Sequence, residues 1–223
     1  MSEMESAVDT QSKKRPQSFG EEIANSITHG IATLLAIAAI PILVVTAVRF
    51  GDATAIVSFS IFGASLFILY LASTIYHALP QGRTKHLFGI LDHCAIYILI
   101  AGTYTPILLV TMGGGWGWSL FGVIWGLALC GVIFKSIYGT RFPMLSNALY
   151  LGMGWIVLIA IKPLVASMPV AGLAWLVGGG LAYTIGIVFY IAGSRWLYAH
   201  TIWHLFVLTG SLCHFFAVLF YVR

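Results

Sequence analysis

Charge is what this chain lacks. Only 8% of its 223 residues are Asp, Glu, Lys or Arg, against about 25% in a soluble domain. With 60% hydrophobic residues and a mean hydropathy of +0.96, there are too few polar side chains to cover a water-facing surface. Cysteine is scarce too. Cys94, Cys130 and Cys213 are an odd set with no C-x-x-C spacing, which argues against a disulfide framework or a thiolate metal site; small packing residues is the expectation for all three. No cleavable signal peptide is expected, because residues 1–18 are polar and no short apolar run with a cleavage site follows. No internal repeat is evident. The net charge of +4 does not indicate a nucleic-acid partner, since the basic residues lie in the tail and short loops, where membrane topology places them.

What is present is a series of apolar runs. Seven spans of the length a bilayer demands, about 20 residues each, fall at roughly 24–49, 54–79, 87–111, 117–138, 144–163, 170–192 and 198–221. Short polar or glycine-rich separators divide them, among them Gly51-Asp52, Pro80 to Lys85 and Gly113-Gly114-Gly115. The expected fold is an all-α integral membrane protein, a seven-transmembrane helix bundle over residues 19–223 behind a disordered tail of residues 1–18. Ser18-Phe-Gly-Glu21 fits a capping box at the first helix. Pro41 and Pro106 lie inside spans and predict kinks. The hydroxyls of Thr103, Tyr104 and Thr105 are placed to satisfy backbone groups freed by such a kink, and Gly178-Gly179-Gly180 predicts close helix approach.

Orientation follows from lysine and arginine. The tail and the second, fourth and sixth loops hold eight of the eleven (Lys13, Lys14, Arg15, Arg83, Lys85, Lys135, Arg141 and Arg195); the other side holds Arg49, Lys162 and Arg223. The positive-inside rule then predicts a cytoplasmic N-terminus and an outside C-terminus.

Against this apolar background a few polar residues stand out. Asp92 is the one acid inside an apolar run, and an ionisable group at membrane depth is costly and usually functional. His77 ends the second span, Asp92 opens the third, and His200 and His204 open the seventh. The topology therefore delivers all four to one leaflet, with Glu22, Asn25 and His29 of the first span at the same level. His200 and His204 are four apart and share one helix face. With His77 they supply three imidazoles, the ligand set of a Zn2+ site with an open position. A zinc there lowers the pKa of a bound water to about 7. Asp92 is placed to hold that water or to serve as a fourth ligand, and Ser73, one turn before His77, to orient it. Glu22, Asn25 and His29 fall on one helical stripe and are assigned to the surroundings of the ligands. The same zinc could instead act as a structural pin between spans. His93 faces elsewhere on its helix than Asp92 and reads as a packing residue. His214 lies ten residues past His204, about 15 Å along the helix, and reads as an interhelical hydrogen-bonding residue.

These motifs together resemble one family. Glu22-x-x-Asn25-x-x-x-His29, Ser73-x-x-x-His77, Asp92-His-Cys-Ala-Ile-Tyr97, Ala101-Gly-Thr-Tyr-Thr-Pro106 and His200-Thr-Ile-Trp-His204 resemble the bacterial hemolysin III proteins, within the progestin and adiponectin receptor superfamily. The resemblance covers nearly the whole chain after the tail. It implies seven helices, an inside N-terminus and an intramembrane zinc held by His77, His200 and His204, with Ser73 and Asp92 as the motif serine and aspartate. It also implies a multi-pass protein of the bacterial cytoplasmic (inner) membrane, with membrane lipids as partners. Eukaryotic relatives are linked to ceramide hydrolysis, and the bacterial branch to hemolysis and membrane lipid homeostasis. Three functions follow as expectations: a zinc-dependent hydrolase of a lipid amide or ester, a non-enzymatic membrane-fluidity regulator with structural zinc, and a cytolytic protein. One buried acid and no charged stripe fit the third poorly. The short loops offer no domain for a protein hormone, and a homo-oligomer remains open.

Overall fold

A computed structural model describes residues 15–223. Among the described residues there is no strand, and seven helices are long and apolar enough to cross a membrane. They are α1 Phe19–Phe50, α2 Ala53–Ala78, α3 Arg83–Met112, α4 Gly114–Tyr138, α5 Pro143–Ser167, α6 Val170–Ala192 and α7 Ala199–Tyr221. Each begins and ends within a few residues of the expected span, but α1 and α3 extend further back, into polar sequence. The cause at α1 is its cap. Glu21 N–H donates to the Ser18 hydroxyl at 3.3 Å, and the Glu21 carboxylate accepts from Ser18 N–H at 2.8 Å, so the capping box is formed.

The disorder expected of residues 1–18 concerns, for residues 1–14, a segment outside the described residues. Arg15 to Ser18 dock on the bundle. Arg15 makes two 2.7 Å hydrogen bonds to Glu21, and Asn25 donates to the Gln17 side chain at 2.6 Å.

Helices α1 to α4 pack in chain order, α6 packs along α7, and α7 returns against α1. The core between α1, α2, α3 and α7 is filled by Leu43, Phe59, Phe62, Leu66, Tyr70 and Val207. The outward faces carry exposed Ile, Leu, Val and Trp, as a lipid-facing surface requires. Close approach is set by small residues. A Cβ on Gly179 would overlap His214, and one on Gly131 would overlap the Tyr97 ring; the Gly178 position of the same triplet faces open space. Lys135, counted as a loop residue in the sequence, is a buried residue in the last turn of α4.

Two helices depart from α geometry. After Pro106, α3 becomes a π-helix over Ile107–Met112, because proline supplies no N–H to the preceding turn. Thr103 and Thr105 hydroxyls donate to Leu99 and Ala101 carbonyls at 2.8 Å. By contrast, α1 runs as continuous helix through Pro41. The second departure had no proline to announce it. Helix α5 tightens to 3-10 form over Ile156–Ala160. There the Tyr104 hydroxyl donates to Gly154 carbonyl at 2.7 Å and lies 3.3 Å from Val157 N–H as acceptor. Tyr104 thus serves a break in the neighbouring helix, not the kink in its own.

Candidate metal centre

His77 ends α2 and His200 and His204 open α7, so the antiparallel order of the spans brings them to one end of the bundle. Among the described residues these three form the group that could hold a metal ion, with one donor atom from each all within 4.8 Å of one another. Tetrahedral zinc with nitrogen at 2.0–2.1 Å needs donors about 3.3 Å apart, so small side-chain rotations close the triangle. His77 and His204 are buried and His200 is half-buried.

The surrounding hydrogen bonds bear on which nitrogen His77 and His204 offer. His77 Nδ1 lies 2.7 Å from a carboxylate oxygen of Glu22. A carboxylate only accepts, so Nδ1 carries the proton, and buried Nε2, which has no protein partner, presents its lone pair. His204 Nδ1 lies 3.3 Å from the Thr28 hydroxyl. That hydroxyl has one proton and spends it on the main-chain carbonyls of Ala24 and Asn25, both at 2.9 Å. With that proton turned to either carbonyl, the Thr28 oxygen accepts from His204 Nδ1–H in the tautomer that leaves Nε2 bare; His204 Nε2 is likewise buried and unpartnered in the protein. Two buried imidazoles with bare nitrogens on one point are costly as they stand. They fit a cation, and the arrangement of a ligating histidine whose other nitrogen donates to a carboxylate or hydroxyl is the usual one in metal sites.

Glu22 is itself held. Lys85 lies 3.1 Å from its other oxygen, and the same ammonium donates to the carbonyls of Tyr76 and Leu79 at 2.9 and 3.1 Å. Lys85 thus caps the end of α2 while fixing the carboxylate that fixes His77. Asn25 accepts from Thr201 at 2.6 Å and ties α1 to the first turn of α7. Glu21 also accepts from Tyr198 N–H at 2.9 Å. Tyr198 has φ 57, the left-handed region, so this bond holds an unusual turn immediately before His200.

Of the residues singled out in the sequence, Glu22 touches a triad histidine directly, His29 stacks on His204 with ring centroids 3.5 Å apart, and Asn25 acts through Thr201. Asp92 is buried and lies outside the group that closes on one point. Ser73 is buried beside it, without a hydrogen bond of regular geometry between them. His93 bonds the Gly89 carbonyl at 2.7 Å, lies 3.4 Å from the Tyr190 hydroxyl and lines the cavity with Asp92, and His214 reaches the Leu176 carbonyl of α6 at 3.2 Å. Sequence reasoning missed Lys85, Glu21, Thr28 and Thr201. For Lys85 a signal existed: the turn after α2 is so short that the first turn of α3 must lie beside the end of α2.

The triad histidines themselves do not line the cavity that lies beside them. This cavity of about 330 Å³ lies between α3, α5, α6 and α7, with His29, Asp92 and His93 near one end and Ile107, Leu164 and Leu173 among the distant wall residues. From Asp92 to Ile107 is 15 residues of α3, about 22 Å of helix. Its walls are overwhelmingly apolar.

Comparison with known proteins agrees with this architecture. The family described as haemolysin-III related matches residues 17–215. The chain is 48% identical over 202 residues to "Hemolysin-3" of Bacillus cereus, covering 91% of this chain and 92% of the relative. It is 50% identical over 201 residues to "Hemolysin-3 homolog" of Bacillus subtilis (strain 168), covering 90% and 94%. A more distant relative, "Monocyte to macrophage differentiation factor" of Homo sapiens, is 30% identical over 163 residues, 71% of this chain and 67% of the relative. Seven apolar helices, a histidine triad where three of them meet, and similarity along nearly the whole described chain lead to one conclusion: this multi-pass membrane protein belongs to the haemolysin-III related family.

Proposed function

We propose that this protein is a zinc-dependent hydrolase of a membrane lipid amide or ester, acting in lipid homeostasis at the bacterial cytoplasmic membrane. The observation that carries the reading is the shared boundary of the triad end and the cavity. His29 stacks on a triad histidine and, with Asp92, lines a long apolar space. A purely structural metal pin would have no use for such a space. The roughly 22 Å length along α3 exceeds the depth of one leaflet, about half of the ~30 Å hydrocarbon core. It suits an acyl chain whose polar end rests at the triad. The excess of basic residues at that end supports its cytoplasmic placement.

His77, His200 and His204 would hold the metal, with Glu22 and Thr28 fixing the tautomers of His77 and His204. Bound zinc supplies a Lewis acid and lowers the pKa of an attacking water to about 7. Asp92 is the one acid facing the cavity; it takes the proton from the attacking water and returns it to the leaving amine or alcohol, the role of a general base and then acid. Ser73 packs against Asp92 at that end. The apolar walls exclude bulk water and hold the acyl chain.

The test is turnover of a panel of ceramides and glycerophospholipids by purified wild type and Asp92→Asn, with products identified by mass spectrometry and zinc measured alongside. The expected result is one released fatty acid class, abolished by chelation, and a loss of about 10²-fold or more in Asp92→Asn at unchanged zinc content. Full activity in Asp92→Asn on a verified substrate would remove the mechanism. A metal-dependent fluidity phenotype with no lipid product would favour the regulatory reading, in which zinc pins α2 to α7.

A further inference from the structure

His29 is placed for more than packing. It is 2% exposed, and neither ring nitrogen makes a hydrogen bond of regular geometry within the protein. The His204 main chain comes near the ring without completing one. The ring cannot swing away to find another partner. It is stacked on His204 at 3.5 Å with 8° between planes, and the Tyr70 ring meets it edge-on at 5.1 Å. Tyr70 is itself fixed by a 2.6 Å hydrogen bond to Ser211. A neutral imidazole has one donor and one acceptor nitrogen, and burying both unanswered is destabilising. His29 also lines the cavity beside Asp92. A buried, clamped and unanswered polar ring at the triad end of an apolar tube is a binding group for whatever polar atom enters with the chain.

We infer that His29 is a substrate-binding residue that donates a hydrogen bond to the acyl carbonyl oxygen of a long-chain lipid whose hydrocarbon tail fills the cavity. This rests on the hydrolase reading for the identity of the carbonyl, but the contact itself can be measured without turnover. As the reaction proceeds that oxygen gains negative charge, so a donor placed at it assists the reaction more than it assists binding.

The experiment uses 2-heptadecanone, a long-chain ketone with a carbonyl and no leaving group, and heptadecane as its match without the carbonyl. Both displace a fluorescent fatty probe from the purified full chain in detergent. In wild type the ketone binds more tightly than the alkane. His29→Phe keeps an aromatic ring against His204 and removes the nitrogens. It is expected to weaken the ketone about five-fold, the worth of one neutral hydrogen bond, and to leave the alkane and the zinc content unchanged. His29→Gln, which restores a donor, is expected to recover most of the difference. If His29→Phe fails to fold or loses metal, the ketone-to-alkane ratio of His29→Gln against His29→Met reads the same contact. An unchanged ratio in well-folded, metal-loaded protein lacking the nitrogens overturns the inference. The two readings fail separately. A His29-dependent ketone preference in a protein that hydrolyses no lipid removes the hydrolase and keeps the contact. Lipid hydrolysis with no such preference removes the contact and keeps the hydrolase.

Discussion

The triad end of the bundle and the α5 wall of the cavity are built on opposite principles. At the triad, α1, α2, α3 and α7 are joined by charged and hydroxyl groups that answer one another: Lys85 to Glu22, Glu22 to His77, Thr28 to His204, Thr201 to Asn25. In the wall, 17% of the most apolar stretch of α5 is buried, against 50% for α2 and 33% for α7, which carry the triad. There one tyrosine hydroxyl bonds the broken backbone. The difference teaches what each part has to do. Donors that must meet on a single point need rigid partners. Under the proposed function, a wall that admits a chain from the bilayer would need few contacts and local irregularity, the low-stability end of a structure.

If that contrast is correct, damage at the triad should read out in metal and damage in the wall should not. The largest effect is expected from His204→Ala. It removes one of three donors and the ring on which His29 stacks. Zinc measured by mass spectrometry on purified protein should fall from about one per chain to none, the three-ligand site being reduced to two. Retention of full zinc would mean the triad is a polar network and that any metal binds elsewhere. Next is Glu22→Gln. The amide can still accept from His77 Nδ1, but it carries no charge to strengthen the ligand or to answer Lys85. Zinc affinity by competition with a chelator should weaken by about 10- to 100-fold while the fold persists. An unchanged affinity would show that His77 needs no carboxylate and would reduce Glu22 to a partner of Lys85 alone.

How far this division could be read from the sequence depends on the kind of signal. The seven spans were legible because each is a run of apolar residues cut by Gly, Pro or charge. The alignment of His77, His200 and His204 at one end followed from counting span directions. Their convergence within 4.8 Å needed the structure, since helix rotation is set by packing. Glu22, Asn25 and His29 were found by their stripe on one helix, but their distinct tasks were not. The stripe places three residues on one face without saying that the first reaches α2, the second α7 and the third the cavity. Lys85 was read as a loop charge, because positive-inside counting looks at lysines as topology signals. Its burial beside the end of α2 comes from a tight turn. The break in α5 carries no proline at Ile156–Ala160, only the preceding Gly152 and Gly154, and its partner Tyr104 is some fifty residues away in sequence. Long-range satisfaction of that sort leaves no local pattern.

The smallest predicted effect probes that break. Tyr104→Phe removes one hydroxyl and leaves the ring, which packs with Leu108, Ile124 and Met153. It leaves the Gly154 carbonyl and the Val157 N–H without the bonds they make to Tyr104. Gly154 is exposed and Val157 half-buried, both on the apolar cavity; a backbone group left unanswered away from water costs about 1–3 kcal/mol, partly recovered where the segment relaxes toward α geometry. The expected outcome is therefore a lowered midpoint in thermal unfolding, an unchanged zinc content, and altered affinity for long-chain ligands, because Gly154, Trp155 and Val157 line the cavity. Loss of zinc in this variant would mean that the wall and the triad are one mechanical unit. Retention of zinc with a changed chain-length preference would show that the wall sets how much chain the cavity admits and that the metal end stands independently of it.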